Sequence, residues 1–231
     1  MKLQLLYAFA IATSSLFGAN ILLNPGFENL PLGSTFNVLD AGNTTDLPAW
    51  TVTGTSCHTI NNCVLVLRSD YTEPSNVGTI LFQPHGGNQS IDLTGGGNTG
   101  DGGVEQIVNL TVGTLYNLSF WLGNQDDRAS NYTAPSQVQV FVNGVSQGIF
   151  TNSSSTNNQL NWAQFSLSFT PTVTSNTIRF QNATASSDSE AGLDDVSLDV
   201  AGSAVPEPSS VILAASALCV LGLVVRSRFR V

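Results

Sequence analysis

Cleaving a glycosidic bond takes two carboxyl groups facing one cleft, and the chain offers Asp126-Asp127 and Asp188 with Glu190 as candidates. Adjacent acids on a strand point to opposite faces, so Asp126-Asp127 makes a poor acid/base pair. His58 and His85 both sit in turn-like segments. Neither has the nucleophile and orienting acid that a Ser or Cys hydrolase would show. A metalloprotease helix motif is also missing. These residues argue against an enzyme. Cys57 and Cys63 bracket a short polar loop that includes His58. Two thiols and one imidazole at this spacing match no common zinc pattern, whereas a disulfide closing the loop suits an oxidising compartment. Cys219 lies in an apolar run and reads as an apolar filler.

Sugar recognition is the other chemistry the residues can support. Aromatic planes cover the C–H faces of a pyranose, while amides and guanidinium groups bond its hydroxyls. In Tyr116 to Leu122 alternation puts Tyr116, Leu118, Phe120 and Leu122 on one face, with Asn117, Ser119 and Trp121 on the other. In Gln137 to Val142 the valines share one face and Gln137, Gln139 and Phe141 the other. In Ile178 to Gln181 the apolar pair points in and Arg179 points out. Trp121, Phe141, Arg179, Gln139 and Asn117 are therefore candidates for a glycan face, provided their strands are neighbours in one sheet. The alternative is that Trp121 and Phe141 lie under a loop and add to the core. Trp50 and Trp162 each begin a strand next to a turn and read as packing residues.

Strands that carry such residues run along most of the chain. Short segments at Trp50–Thr53, Val64–Leu67, Ser90–Leu93, Val104–Val108, Leu115–Leu122, Gln137–Val142, Phe165–Phe169, Thr177–Gln181 and Asp195–Val200 are separated by Gly, Asn or Pro turns. Asn143-Gly144 suits a type I′ hairpin turn. This pattern predicts an all-β sandwich. Between the termini no segment keeps a helical period. Asn20 to Val205 holds all but one of the chain's 16 acidic residues and only three of its 7 basic ones, Arg68, Arg128 and Arg179. Nucleic-acid binding depends on basic neutralisation of phosphates, so that partner class is excluded.

The termini address the protein. Met1-Lys2 followed by an uncharged stretch from Leu3 to Ala12 reads as a signal peptide over residues 1–19, cut after Ala19. At the other end Pro206-Glu207-Pro208 precedes an apolar run from Val211 to Val225, and Arg226, Arg228 and Arg230 close the chain. The run covers about 22 Å as a helix, short for a full span. The arginines hold the tail in the cytoplasm, so everything before Pro206 lies outside. Residues 204–231 resemble the PEP-CTERM sorting signal in all three parts and their order. The resemblance implies an exported protein of a Gram-negative bacterium. It would be held at the inner membrane through this helix, then processed by an exosortase and passed to the cell surface or extracellular polysaccharide.

Between these ends lies a domain over 20–203. Asn24-Pro25-Gly26-Phe27-Glu28, Pro48-Ala49-Trp50-Thr51, Leu115 to Trp121 and Leu193-Asp194-Asp195-Val196-Ser197-Leu198 follow one another along it. The ordered set resembles the galactose-binding-like jelly roll, to which many carbohydrate-binding modules belong. The resemblance implies a jelly-roll sandwich and a non-catalytic glycan-binding role, with a purely structural matrix protein as the alternative. It also implies a structural calcium held by Glu28 with Asp194 or Asp195, brought together by pairing of the first and last strands.

Overall fold

A computed structural model describes residues 19–202, apart from 29–33, 56, 58–62, 76–77, 98–99, 126–131, 133–134, 155–158 and 186–189. The signal peptide, the sorting signal with Pro206, Glu207, Pro208, Arg226, Arg228 and Arg230, and His58, Asp126, Asp127, Arg128 and Asp188 lie outside the described residues. Among the described residues no helix is long and apolar enough to cross a membrane.

The strands are β1 (Phe36–Leu39), β2 (Thr51–Thr53), β3 (Val64–Arg68), β4 (Thr72–Ser75), β5 (Gly78–Leu81), β6 (Gln89–Asp92), β7 (Gly103–Asn109), β8 (Tyr116–Asn124), β9 (Ser136–Val142), β10 (Val145–Asn152), β11 (Asn161–Phe169), β12 (Ser175–Asn182) and β13 (Gly192–Val200). They build a six-stranded sheet in the order β1-β3-β6-β13-β8-β11 and a five-stranded sheet in the order β10-β9-β12-β7-β2, while β4 and β5 form a separate hairpin. The pairings within these sheets are antiparallel. The domain is an all-β jelly-roll sandwich, as the alternating sequence predicts.

Alternation explains the core. Tyr116, Leu118, Phe120 and Leu122 from β8 meet Val138, Val140 and Val142 from β9 and Ile178 and Phe180 from β12 between the sheets. Phe120 sits at the centre, its ring edge-on to Phe180 and Phe150 with centroids 5.2 and 5.3 Å away. Trp50 is buried there too, with its ring 5.2 Å from Phe27 and its indole N–H donated to the Asn24 carbonyl at 2.9 Å. Fully burying such side chains is worth about 1.5–3 kcal/mol each. The Asn143-Gly144 hairpin forms between β9 and β10 with φ of 51° and 76° at its two residues, the left-handed values a type I′ turn requires.

A second, smaller core covers the outside of the six-stranded sheet. Leu65 and Leu67 project there from β3 and pack with Ile80, Phe82, Tyr132 and Leu160. All four apolar residues of Val64–Leu67 are therefore buried, which is why the strand reads as a continuous apolar run. Strands β1, β4 and β5 and the length of β10 are additions to the sequence reading. The β4 segment carries Pro74, and β1 alternates only weakly, so neither gives a clear period.

The first residues pair with the last strand without forming a strand of their own. Ile21 N–H donates to the Leu198 carbonyl at 3.0 Å, Val196 N–H to Pro25 at 3.0 Å, and the Asn20 amide bonds β13 on both sides. Pro25 cannot donate to a ladder, and Asn24 and Phe27 take positive φ, so the segment bends away.

Candidate functional site

The two sheets divide the glycan candidates. Trp121 and Asn117 are on β8 in the six-stranded sheet, whereas Phe141 and Gln139 on β9 and Arg179 on β12 belong to the five-stranded sheet. The single face expected from alternation does not exist. Each residue does point away from the main core, so the direction of every side chain was correct and only its sheet was not.

On the outer face of the five-stranded sheet, register places Ser146, Phe141, Arg179, Glu105 and Thr51 in one row across five strands. The next row carries Ile149, Gln139 and Gln181. The Arg179 guanidinium lies over the Phe141 ring, 4.3 Å from its centroid. A cation over a ring face is held by the ring's quadrupole, and here it ties the two side chains together across neighbouring strands. Gln139 donates to the Ser146 hydroxyl at 2.9 Å. Nε of Arg179 is buried without a partner. The face is half-exposed and offers an aromatic plane, a guanidinium and two amides at strand spacing.

Trp121 has a different environment. Its ring stacks on His85, with centroids 3.7 Å apart and planes inclined by 16°. Trp162 stands edge-on to the same imidazole at 6.1 Å and donates its indole N–H to the Gln83 carbonyl at 3.0 Å. A Cβ on Gly123 or Gly192 would approach the Trp162 ring to 3.0 Å, so both glycines let the indole lie flat on the sheet. His85 Nδ1 sits 2.6 Å from Asp195 Oδ2. Asn117 accepts a hydrogen bond from the Ser168 hydroxyl at 2.6 Å. The imidazole thus covers the ring that sequence reasoning assigns to sugar. A lone His85 with its acid 110 residues away leaves no local signal.

Glu28, Asp194 and Asp195 do converge. A Cβ on Gly26 would lie 3.5 Å from Asp195 Oδ1 and 3.7 Å from Asp194 Oδ1, against the Glu28 side chain. Several of their oxygens accept hydrogen bonds from N–H donors. Asp194 Oδ2 accepts from the amides of His85 and Gly86 at 2.8 and 3.1 Å, and its Oδ1 accepts from the Asp195 amide at 2.7 Å. Glu28 Oε1 accepts from the Asn88 and Gln89 amides at 2.6 and 3.1 Å. Burial pushes the Asp194 carboxyl up to about 7, with the neighbouring Asp195 adding to the effect. Calcium wants six to eight oxygens free to face it. As arranged, these carboxylates anchor the 85–89 loop. Among the described residues no group of three or more His, Cys, Asp or Glu side chains is placed to hold a metal ion.

Cys57 and Cys63 form the expected disulfide. It tethers the connection between β2 and β3, and Cys63 N–H donates to the Leu39 carbonyl at 3.0 Å.

A cavity of about 200 Å³ opens beside the second core. Glu73, Asp92 and Glu190 line it with Tyr71, Phe82 and Tyr132. Both tyrosine hydroxyls donate to the Glu73 carboxylate. Asp92 Oδ1 accepts from the amides of Thr94 and Ala191 at 2.8 and 3.1 Å and from the Thr94 hydroxyl at 2.7 Å. Burial raises Asp92 to about 6 against those hydrogen bonds. Glu190, hydrogen-bonded to Asp92, is pushed well above the usual carboxyl range by burial and then by the nearby Asp92 charge. In the sequence the nearest acidic neighbour of Glu190 is Asp188, and Glu73 and Asp92 are too far away in the chain for any local pattern to join them to it.

Fold and surfaces together define a jelly-roll domain with an internal disulfide. The chain belongs to the family described as "Protein of unknown function (DUF642)", whose model matches residues 20–199. The PEP-CTERM protein-sorting motif matches residues 204–228, as its three parts predict. No curated protein matches the chain. Among solved structures, a family 61 carbohydrate-binding module in complex with β-1,4-galactotriose is 18% identical, covering 78% of this chain and 98% of that one, with a TM-score of 0.45. A family 35 carbohydrate-binding module from Clostridium thermocellum is 17% identical, covering 65% and 99%, with a TM-score of 0.38. The enzymatically active domain of tailspike protein 4 from bacteriophage CBA120 is 13% identical with a TM-score of 0.42; the match covers 78% of this chain and 21% of that one.

Proposed function

We propose that this protein is an exported, non-catalytic glycan-binding module, delivered by its sorting signal to the cell surface or extracellular polysaccharide. An exosortase-type enzyme is its processing partner, and the C-terminal helix is its membrane anchor before processing. The observation that carries the reading is the Arg179–Phe141 pair on the outer face of the five-stranded sheet, with Gln139 and Gln181 side by side in the adjacent row. The guanidinium takes one face of the Phe141 ring, and the stacked pair presents an ordered plane to a pyranose at little cost in side-chain entropy, with both amides in the adjacent row to bond hydroxyls along one side. The acidic balance of the chain suits a neutral glycan. The paired carboxyls Asp92 and Glu190 bond each other, which leaves no space between them for a glycosidic oxygen and water.

Polysaccharide pull-down with the purified protein tests this directly. Phe141→Ala and Arg179→Ala are each expected to cut retention at least tenfold, while the melting temperature changes by no more than about 1 kcal/mol would move it. Retention equal to that of the unmodified protein in both variants would remove the face and favour a matrix protein without specific sugar binding.

A further inference from the structure

The acidic cavity lies on the other sheet from the sugar face, and nothing in the glycan reading uses it. Three carboxyl side chains line it, from β4 (Glu73), β6 (Asp92) and the residue two before β13 (Glu190). Among the described residues that line it there is no Lys, Arg or His. Glu190 is 4% exposed, and its Oε1 has no hydrogen-bond partner. A buried carboxyl oxygen without a donor costs free energy that a ligand donor recovers. The rings of Tyr71, Phe82 and Tyr132 also line it, with Phe82 5.3 Å from Tyr71 and 5.8 Å from Tyr132. Carboxyl acceptors with no competing base among the lining residues are what an ammonium ion requires. The volume is that of about seven waters, enough for one substituted six-membered ring and too little for a chain.

We propose that this cavity binds a small organic ammonium ion no larger than a single unacetylated amino sugar. The ammonium donates to the unpartnered Glu190 Oε1, and Glu73 is held in place by the two phenols. A bare metal ion is disfavoured because, among the described residues, no group of three or more His, Cys, Asp or Glu side chains is placed to hold one. A neutral sugar could bond the carboxyls through hydroxyls, but it would leave their charge uncompensated.

Calorimetric titration of the purified full chain with glucosamine, N-acetylglucosamine, glucose and cadaverine separates these cases. Glucosamine is expected to bind at least tenfold more tightly than either neutral sugar. Cadaverine binding as well as glucosamine assigns the site to amines in general, and weaker cadaverine binding assigns it to amino sugars. Glu190→Gln and Glu73→Gln should each weaken glucosamine at least tenfold, with thermal melting confirming that both variants fold. Affinity should also fall at least threefold from pH 7.5 to pH 5. In that interval the Asp92–Glu190 pair gains protons, and the other titratable groups facing it are Glu73, Tyr71 and Tyr132. Phe141→Ala should leave this titration unchanged, so failure of the sugar face and failure of this site are told apart. Binding of N-acetylglucosamine or glucose as tight as glucosamine, no binding of either amine, or full affinity in both Gln variants would overturn the proposal.

Discussion

Trp121 shows how much a residue's role depends on what folds over it. Its indole is covered by His85 at 3.7 Å, and Asp195 holds that imidazole in place at 2.6 Å. Stacked aromatic pairs contribute about 0.5–1.5 kcal/mol beyond their buried area. Trp121→Ala is therefore expected to lower stability by about 1–2 kcal/mol while leaving polysaccharide retention intact. Thermal melting and pull-down of the one variant read both quantities, and lost retention with an unchanged melting point would return Trp121 to the sugar face. Alternation made the outward direction of Trp121 legible, because Leu118, Phe120 and Leu122 mark the inner face of β8 without ambiguity. The cover was not legible. It comes from a residue 36 positions away in a turn-rich segment, and no period or spacing connects the two. The same limit separates Glu73, Asp92 and Glu190, which meet through sheet order and not through any local pattern.

At the scale of elements, the strands with a buried face announced themselves and those at the margins did not. β8, β9 and β12 alternate cleanly, since one side of each faces the main core. β4 and β5 form a separate hairpin whose other bridge joins Leu81 to Gln159, and Ile80 of β5 belongs to the second core, so their pattern follows a local packing that the sequence does not declare. Sheet order was hidden for a related reason: β8 and β9 are consecutive in the chain yet belong to different sheets. The link between β2 and β3 was readable from Cys57 and Cys63. Closing a loop with a sequence separation of 6 restricts the unfolded chain by about 2 kcal/mol. Replacing both cysteines by Ala should cost about that much in chemical denaturation, and an unchanged midpoint would show the tether to be idle. Gly54 has to stay small for it, with φ of 148° and a would-be Cβ 2.1 Å from the Cys57 sulfur. The 85–89 loop is a comparable case of an element held by side chains. If Glu28 and Asp194 serve its backbone amides, calcium should shift the melting point no more than magnesium does. A calcium-specific rise of several degrees, lost in Glu28→Gln, would mean that the loop rearranges and a metal takes over these carboxylates.

Across the whole molecule, burial has been imposed on acids in a chain with few bases to compensate them. Asp92 is raised from 3.8 to about 6, Asp194 from 3.8 to about 7, and Glu190 well above 4.5, each chiefly by burial. The folded state therefore binds protons at these sites that the unfolded chain releases. Their contribution to stability is complete below about pH 4 and is lost as pH rises through about 6 to 7. At roughly 1.4 kcal/mol per unit, the upper limits are about 3 kcal/mol for Asp92 and about 4 kcal/mol for Asp194. Asp70, held low by Arg68, opposes this trend only toward acid and is fully exposed. The melting temperature is accordingly expected to be highest near pH 4–5 and to fall toward pH 8. Glu190→Gln identifies one source, because the amide can donate to Asp92 at every pH while carrying no charge of its own. Its melting temperature should match the unmodified protein near pH 4 and exceed it at pH 8. Parallel curves for the two proteins, or a maximum above pH 7, would show that these buried acids do not set the response, and that the acidic cavity is better solvated than its geometry implies.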